Sequence, residues 1–493
     1  MVAFSYKLRS PDLSILPTKT PSSPVDWRPR NSHMLTKRYC RVIVAVLVCG
    51  GVLAFLSGQD YLDRTSLEAQ LAELSEGDQI THVPLYPKFH EYERRLPQHN
   101  PTLPAPEGEH AKFLFIANHA YRDIRFENYT WERTEEDYAY FNGKKIPARV
   151  PLSALISGPM VGGSLGSDSH HIPRAVSREY FYKACSEVKI IRSDEVKDTF
   201  HGREPSAKEL MDAWVAKIDS MEDRCIEIEK NSMQLFDIWL LGTERVLDIW
   251  PELSVSPAVK HFGMSPLILA AFNANKAHFA PKASYLDALI PTLPFSGLFD
   301  DSSAPASQLD GLMALHIRRG DFEGHCDHLA RWGSVYNGFN SFQTFPDHFQ
   351  QPGGCGWGES TPECHAEYLL HCFPTVEQIT QKVLDVREEL KERGIGGKLN
   401  RVFVMSNGAN EWLQELKQGL AEAGRQHGLA FESISTSRDL VLTPEQKYVA
   451  QQLDMYVGQR AQVFIGNGFS SLTSNVAMLR MANGFDTHTT RFW

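Results

Sequence analysis

The sequence predicts an α/β protein built around a parallel sheet, and two observations carry that expectation. Short apolar runs that read as buried strands, LMALHI at 312–317, VFVM at 402–405 and VFI at 463–465, alternate with stretches whose apolar residues recur at helical spacing. Strand, helix, strand alternation requires crossover connections and therefore parallel pairing, and ligands of such sheets gather outside the carboxyl ends of the strands. The second observation is a break. Residues 282–305, rich in Pro and Ser, separate this half from an earlier one that opens on the apolar run FLFIA at 113–117. Domains are therefore placed at 111–295 and 300–493, within the two or three that 493 residues allow. A net charge of -10 leaves no basic surplus for phosphates along a strand, which excludes nucleic acid as the main partner.

Residues 1–41 are Pro-, Ser- and Lys/Arg-rich without periodicity and read as a disordered tail. Residues 42–58 carry no charge, and the acidic Asp60, Asp63, Glu68 and Glu73 follow. A basic flank before an apolar run, with acidic residues after it, orients a single-pass type II anchor with its tail in the cytosol. The run is short for a spanning helix and suits the thinner bilayers of the early secretory pathway, hence a Golgi or ER membrane; a cleaved signal peptide is the rival. Residues 59–110, polar and then Pro-rich, read as a stem.

In the first folded half, Asn128 begins an Asn-Tyr-Thr glycosylation sequon. A literal GxSxG surrounds Ser164, but the strand and helix that a nucleophile elbow needs are missing around it. From 206 to 250 helical spacing dominates, with Leu210, Trp214, Ile218, Met221 and Cys225 on one face.

In the second half, residues 338–358 read as a long aromatic, Gly-rich loop. Thr375 and Gln378 form a capping box for a helix carrying Val376, Ile379, Val383, Val386 and Leu390 to a stop near Gly394. Helices are expected at 410–423 and 444–459, a strand at 430–434, and a last helix after the Gly466-Asn467-Gly468 turn. Beyond Cys40 and Cys49 there remain Cys185, Cys225, Cys326, Cys355, Cys364 and Cys372, an even set with no CxxC. In an oxidising compartment it allows up to three disulfides in any of several pairings, with the last three cysteines suggesting a stapled loop. His325, Cys326 and His328, read as lying in a loop, resemble a metal site only weakly, because no second ligand pair accompanies them.

The chemistry concentrates at GLMALHIRRGDFEGHC, residues 311–326, where an apolar strand turns into two guanidiniums, a glycine and a carboxylate. Arginine stays charged and its fork matches two phosphate oxygens, while glycine lets the backbone approach closely. Side-chain alternation along a strand puts His316 on the side of Arg318, and Asp321 is placed to clamp either arginine. After the last strand, Ser470, Ser471 and Thr473 at a helix start offer amides, hydroxyls and the positive end of the helix dipole.

HIRRGDF resembles the signature of GDP-fucose-dependent fucosyltransferases, the superfamily of protein O-fucosyltransferases and α1,6-fucosyltransferases, and VFIGNGFSSLTSNVAMLR at 463–480 is similar to its C-terminal motif. The resemblance spans roughly residues 113–493, with these two blocks its specific part, and is that of a divergent, fungal-type member. It implies a GT-B-like architecture, two Rossmann-like domains facing a cleft behind an N-terminal transmembrane helix, with the acceptor side in 111–295 and the nucleotide-sugar in 300–493. It also implies an inverting transfer of fucose from GDP-fucose to a protein or glycan acceptor. Arg318 and Asp321 would be catalytic, with Glu323 a second candidate base. His316, Arg318, Arg319, Gly320, Asn407, Asp454, Asn467, Ser470, Ser471 and Thr473 would hold the donor. No Asp-x-Asp occurs, so the diphosphate is expected to be countered by arginine without a metal, and no cofactor is expected. One departure stands out: the family places a Gly-containing loop after the first strand, and no glycine lies between Lys112 and Asn142. That departure favours, as the alternative, a weakened or inactive relative that binds nucleotide or glycan.

Overall fold

The computed structural model describes residues 85–96, 99–102, 108, 111–116, 138–141, 144–147, 150–163, 175–229, 232–280, 308–320, 322–395 and 398–493. The tail, the 42–58 anchor, most of the stem, Asn128, Ser164, the 282–305 boundary and Asp321 lie outside these residues. Among the described residues no helix is long and apolar enough to cross a membrane. Residues 86–493 group into one compact unit.

The helix α1 (Pro87–Arg94) leads to strand β1 (Phe113–Ile116). Then come α2 (Arg178–Ala184), β2 (Lys189–Ile191), α3 (Ala207–Asp219) and β3 (Cys225–Ile228). The three strands form a parallel sheet in the order β1-β3-β2. Helix α3 starts on a capping box in which Ser206 accepts from the amide of Glu209 and Glu209 reaches back. The face read through to Cys225 is corrected here: α3 ends at Asp219, and CIEI alternates with period two as β3. A Cys185–Cys225 disulfide fastens the end of α2 to β3.

Helix α4 (Pro266–Ala274) packs on the second half of the unit. Asn275 exchanges two 2.8 Å hydrogen bonds with the backbone of Val441. Phe279 meets the ring of Phe403 edge-on at 4.9 Å.

The second half contains β4 (Leu309–Ile317), α5 (Phe322–Arg331), α6 (Pro362–Cys372), α7 (Val376–Glu392) and β5 (Arg401–Ser406). It continues through α8 (Asn410–Gln426), β6 (Ser433–Thr436), α9 (Ala450–Arg460), β7 (Ala461–Gly466), α10 (Ser471–Ala482) and β8 (Thr490–Phe492). All five strands are parallel, in the order β6-β5-β4-β7-β8. One face buries Met313, Leu315, Val402, Val404, Val463 and Ile465 against Ile379, Val383 and Val386 of α7 and Leu413, Leu416 and Leu420 of α8. Each such side chain contributes roughly 1.5–3 kcal/mol when fully removed from water. Helices α9 and α10 pack together, and α9 also packs on β4 and β7. A side chain at Gly458 of α9 would press on the Phe464 ring, which projects from the other face of β7.

Several boundaries differ from expectation for local reasons. Strand β4 starts three residues early, through a bulge where Gly311 takes φ +78 and the register with β7 shifts. The helix expected at 444–459 breaks at Val449 into Pro444–Tyr448 and α9. The 338–358 loop contains a short helix, Gly338–Ser341, and enters a hairpin of Cys355–Gly356 with Glu359–Ser360. The remaining disulfides are Cys355–Cys364, which closes that hairpin onto α6, and Cys326–Cys372, which joins α5 to the end of α6. His325 and His328 therefore lie on a helix, not in a loop, and the sulfur of Cys326 is bonded to Cys372 rather than open to a metal.

Candidate functional site

Strand order locates the site. From β4 the chain steps outward to β5 and β6, then returns across β4 to place β7 and β8 on the other side. The direction reverses between β4 and β7, and the crevice outside the carboxyl ends of such a pair is where doubly wound sheets take their ligands. Strand β4 ends into Arg318, and β7 ends into the turn that starts α10.

A hydrogen bond spans this point. His316 Nδ1 lies 2.8 Å from Thr473 Oγ1, both buried, so the end of β4 is tied to the first turn of α10. The Trp493 indole donates to the His316 carbonyl at 2.9 Å. Because β4 stops at Ile317, the alternation that put Arg318 on the His316 side ends one residue short of it. Arg318 is half-buried, with its guanidinium 4.5 Å above the ring of Phe322, the first residue of α5.

Arg319, expected to help hold the donor, is enclosed by protein. Its guanidinium lies between the rings of Phe373 and Trp412, at 4.1 and 4.2 Å, and donates to the Pro374 carbonyl. It is 6 % exposed. Burial lowers its pKa to about 10, against the raising influence of Glu323, so it remains a cation at neutral pH. Asn407, expected near ribose or base, holds the Arg319 backbone from both sides, accepting from its amide and donating to its carbonyl at 2.8 Å each. That clamp forms the turn in which Gly320 takes φ +68. A Cβ there would come within 3.2 Å of Asn407 Nδ2.

The turn after β7 is packed from above. Asn467 donates to the Cys372 carbonyl at 2.7 Å and accepts from the Phe469 amide at 2.9 Å. The Gly468 carbonyl accepts from the Asn337 amide and from Asn340 Nδ2, both at 2.8 Å. A side chain at Gly468 would strike the Tyr336 ring, and one at Gly466 would strike Thr473. These glycines therefore let Tyr336 and Thr473 pack closely on the turn. The start of α10 is suited to an anion. Ser470 caps it without a side-chain hydrogen bond and is buried, whereas Ser471 is exposed. The first-turn amides sit at the positive end of a twelve-residue helix. Asp454, read as a nucleotide-side residue or a solvated helix carboxylate, is buried and accepts from Ser437 Oγ at 2.9 Å beyond the end of β6.

Sequence reasoning missed Phe322, Phe373, Trp412, Tyr336, Asn340 and Trp493. The aromatic density of 338–358 and its flanks was the visible signal for some of these. Their partners lie far away in the chain, and nothing local marks them.

Fold and strand ends together define the class: an α/β protein whose second half has the Rossmann strand order, with β4 ending into an arginine, β7 leading into a helix start, and the two strand ends tied by His316 and Thr473. No protein-family model matches the chain, and no curated protein matches it. Among solved structures it is similar to crystal structures of POFUT1. The complex with GDP aligns at 16% identity with a TM-score of 0.28, over 54% of this chain and 55% of that one. The complex with GDP-fucose aligns at 17% identity and a TM-score of 0.29, over 55% and 54%, and the apo-form at 15% and 0.28, over 55% of each. The chain thus spans about half the length of the solved chains it matches.

Proposed function

We propose that the protein is a metal-independent, inverting glycosyltransferase of GT-B type that binds GDP-fucose at the β4–β7 switch point and fucosylates a protein or glycan hydroxyl in the Golgi or ER. The supporting observation is the junction of two anion-suited strand ends, Arg318 after β4 and the α10 start after β7, bridged by His316 and Thr473. The HIRRGDF and 463–480 motifs point to the same donor, and the absence of any Asp-x-Asp points away from a metal clamp.

In this reading the acceptor oxygen attacks the anomeric carbon as its bond to the diphosphate breaks. Arg318 and the α10 amides take up the charge that builds on the leaving diphosphate, a contribution on the order of 2–4 kcal/mol for one such group. The acceptor proton passes to a carboxylate, for which Asp321 and Glu323 are the candidates. His316, Asn407 and Arg319 shape the loop that presents Arg318.

Calorimetry with GDP and with guanosine tests the reading. Losing one charge-assisted contact costs about 1.5–3 kcal/mol, so Arg318→Ala should weaken GDP roughly 10- to 100-fold and leave guanosine unchanged. Equal GDP affinity in the variant, or no GDP affinity in the wild type, defeats it. The missing glycine loop after β1 favours the second reading, a binding relative, and GDP-fucose bound without turnover would select that one.

A further inference from the structure

A ladder of rings runs outward from the candidate site along helix α5. Phe322, His325 and His328 share one helix face, and Trp332, one residue past the end of α5 with its amide still bonded to the His328 carbonyl, continues the three- to four-residue spacing. Successive ring centroids lie 4.9, 5.9 and 6.1 Å apart. The foot of the ladder is the ring beneath Arg318, so it starts at the candidate donor site and runs outward along the helix. Phe322 is buried, His325 and His328 are exposed, and Trp332 is 56 % exposed.

At the far end stands Trp357, 99 % exposed. It is held there by structure: it takes a left-handed φ of 57 at the tip of the Cys355–Gly356/Glu359–Ser360 hairpin. The Cys355–Cys364 disulfide closes that hairpin. The Gly358 amide donates to the Arg331 carbonyl at 3.0 Å, one residue before Trp332. A bulky side chain in the left-handed region persists only where its surroundings impose it.

Exposed tryptophans on rigid elements mark a contact surface, and the residue types narrow what it contacts. Leu, Ile and Met, the side chains of a greasy helix-docking groove, are absent from the ladder. Flat ring faces alternate with imidazoles that donate and accept hydrogen bonds. Glu323, Asp327 and Arg331 flank the ladder and Glu359 lies on the hairpin; Asp327 and Arg331 pair at 2.9 Å, leaving a mildly acidic surround that disfavours polyanions. A ring that offers C–H groups on its face and hydroxyls on its rim satisfies both features, which is the chemistry of a neutral pyranose.

We propose that α5 and the Trp357 hairpin form a subsite for a neutral oligosaccharide, with sugar rings stacked on Trp332 and Trp357 and hydroxyls bonded by His325 and His328, so that the chain leads toward Arg318 as acceptor. Its role as acceptor rests on the donor reading above, whereas its binding of sugar does not.

The full chain is applied, without GDP, to a printed array of neutral oligosaccharides, and the affinity for the best binder is measured by tryptophan fluorescence. Wild type should bind. Trp332→Ala and Trp357→Ala should each weaken binding about 10-fold or more, as loss of an aromatic anchor does, with GDP affinity and thermal midpoint unchanged. A blank array overturns the proposal, as does oligosaccharide binding that survives both substitutions together. Retention of an unglycosylated polypeptide through the two tryptophans, in place of sugar, also overturns it. Sugar binding through Trp332 and Trp357 in a protein that fails to bind GDP sustains the subsite and removes the donor reading alone.

Discussion

Replacing Asp347 by Asn removes a charge on which the C-terminal strand depends. The carboxylate accepts from Arg491 at 2.7 and 3.1 Å, from Lys382 at 2.8 Å and from the Phe492 amide at 2.9 Å. Its side chain is 16 % exposed and that of Arg491 7 %. Breaking a buried ion pair by removing one partner costs about 3–5 kcal/mol, because the other charge stays behind. Arg491 keeps Glu389 at 2.6 Å, so the lower end applies and Asp347→Asn should destabilise the fold by about 3 kcal/mol. Burial alone would raise the carboxyl pKa; the bonds and charges of Arg491 and Lys382 outweigh it and leave the folded value below the ordinary one. A depressed carboxyl pKa gives stability that is complete above the unfolded value, near about 4, and is lost as pH falls through the folded value. Urea unfolding of both proteins with disulfides intact, followed by tryptophan fluorescence, should therefore show a constant gap from about pH 5 to 8 that narrows below about pH 4. A gap under about 0.5 kcal/mol, the scale of exposed pairs, or one that does not change in acid, would refute the reasoning.

Thr473→Val keeps side-chain shape but takes from the buried His316 imidazole its 2.8 Å partner, so unfolding free energy should fall by about 1–3 kcal/mol. If the junction also shapes the donor site, GDP affinity measured by calorimetry should fall with it. Gly320→Ala forces an L side chain to hold φ +68 beside Asn407 Nδ2; urea titration should show a loss of about 1–2 kcal/mol, and an unchanged midpoint would mean that the turn relaxes.

Much of the second half was legible because its strands are buried on both faces, which writes them as apolar runs at 312–317, where only His316 interrupts, at 402–405 and at 463–465. The capping box of Thr375 and Gln378 marked the start of α7. Two of the three residues of β2 are exposed, and β8 reads only Thr-Arg-Phe, so neither produces a run. The order of strands escaped because it depends on which face each helix chooses, a decision made by packing far along the chain. At the site, Arg318, His316 and Thr473 were visible as residue types. That Thr473 would bond His316, and that Phe373 and Trp412 would enclose Arg319, were contacts between distant segments with no local mark.

The central position of β4 has a consequence for biosynthesis. It is the first strand of its sheet to leave the ribosome, yet its second neighbour, β7, is among the last. Until residues 461–466 emerge, one edge of a nine-residue, almost wholly apolar strand keeps its backbone groups open to any passing chain. Pairing across so long a separation is slow, so nascent or truncated forms ending before β7 should be captured by chaperones or aggregate, whereas those that include β7 can close the sheet.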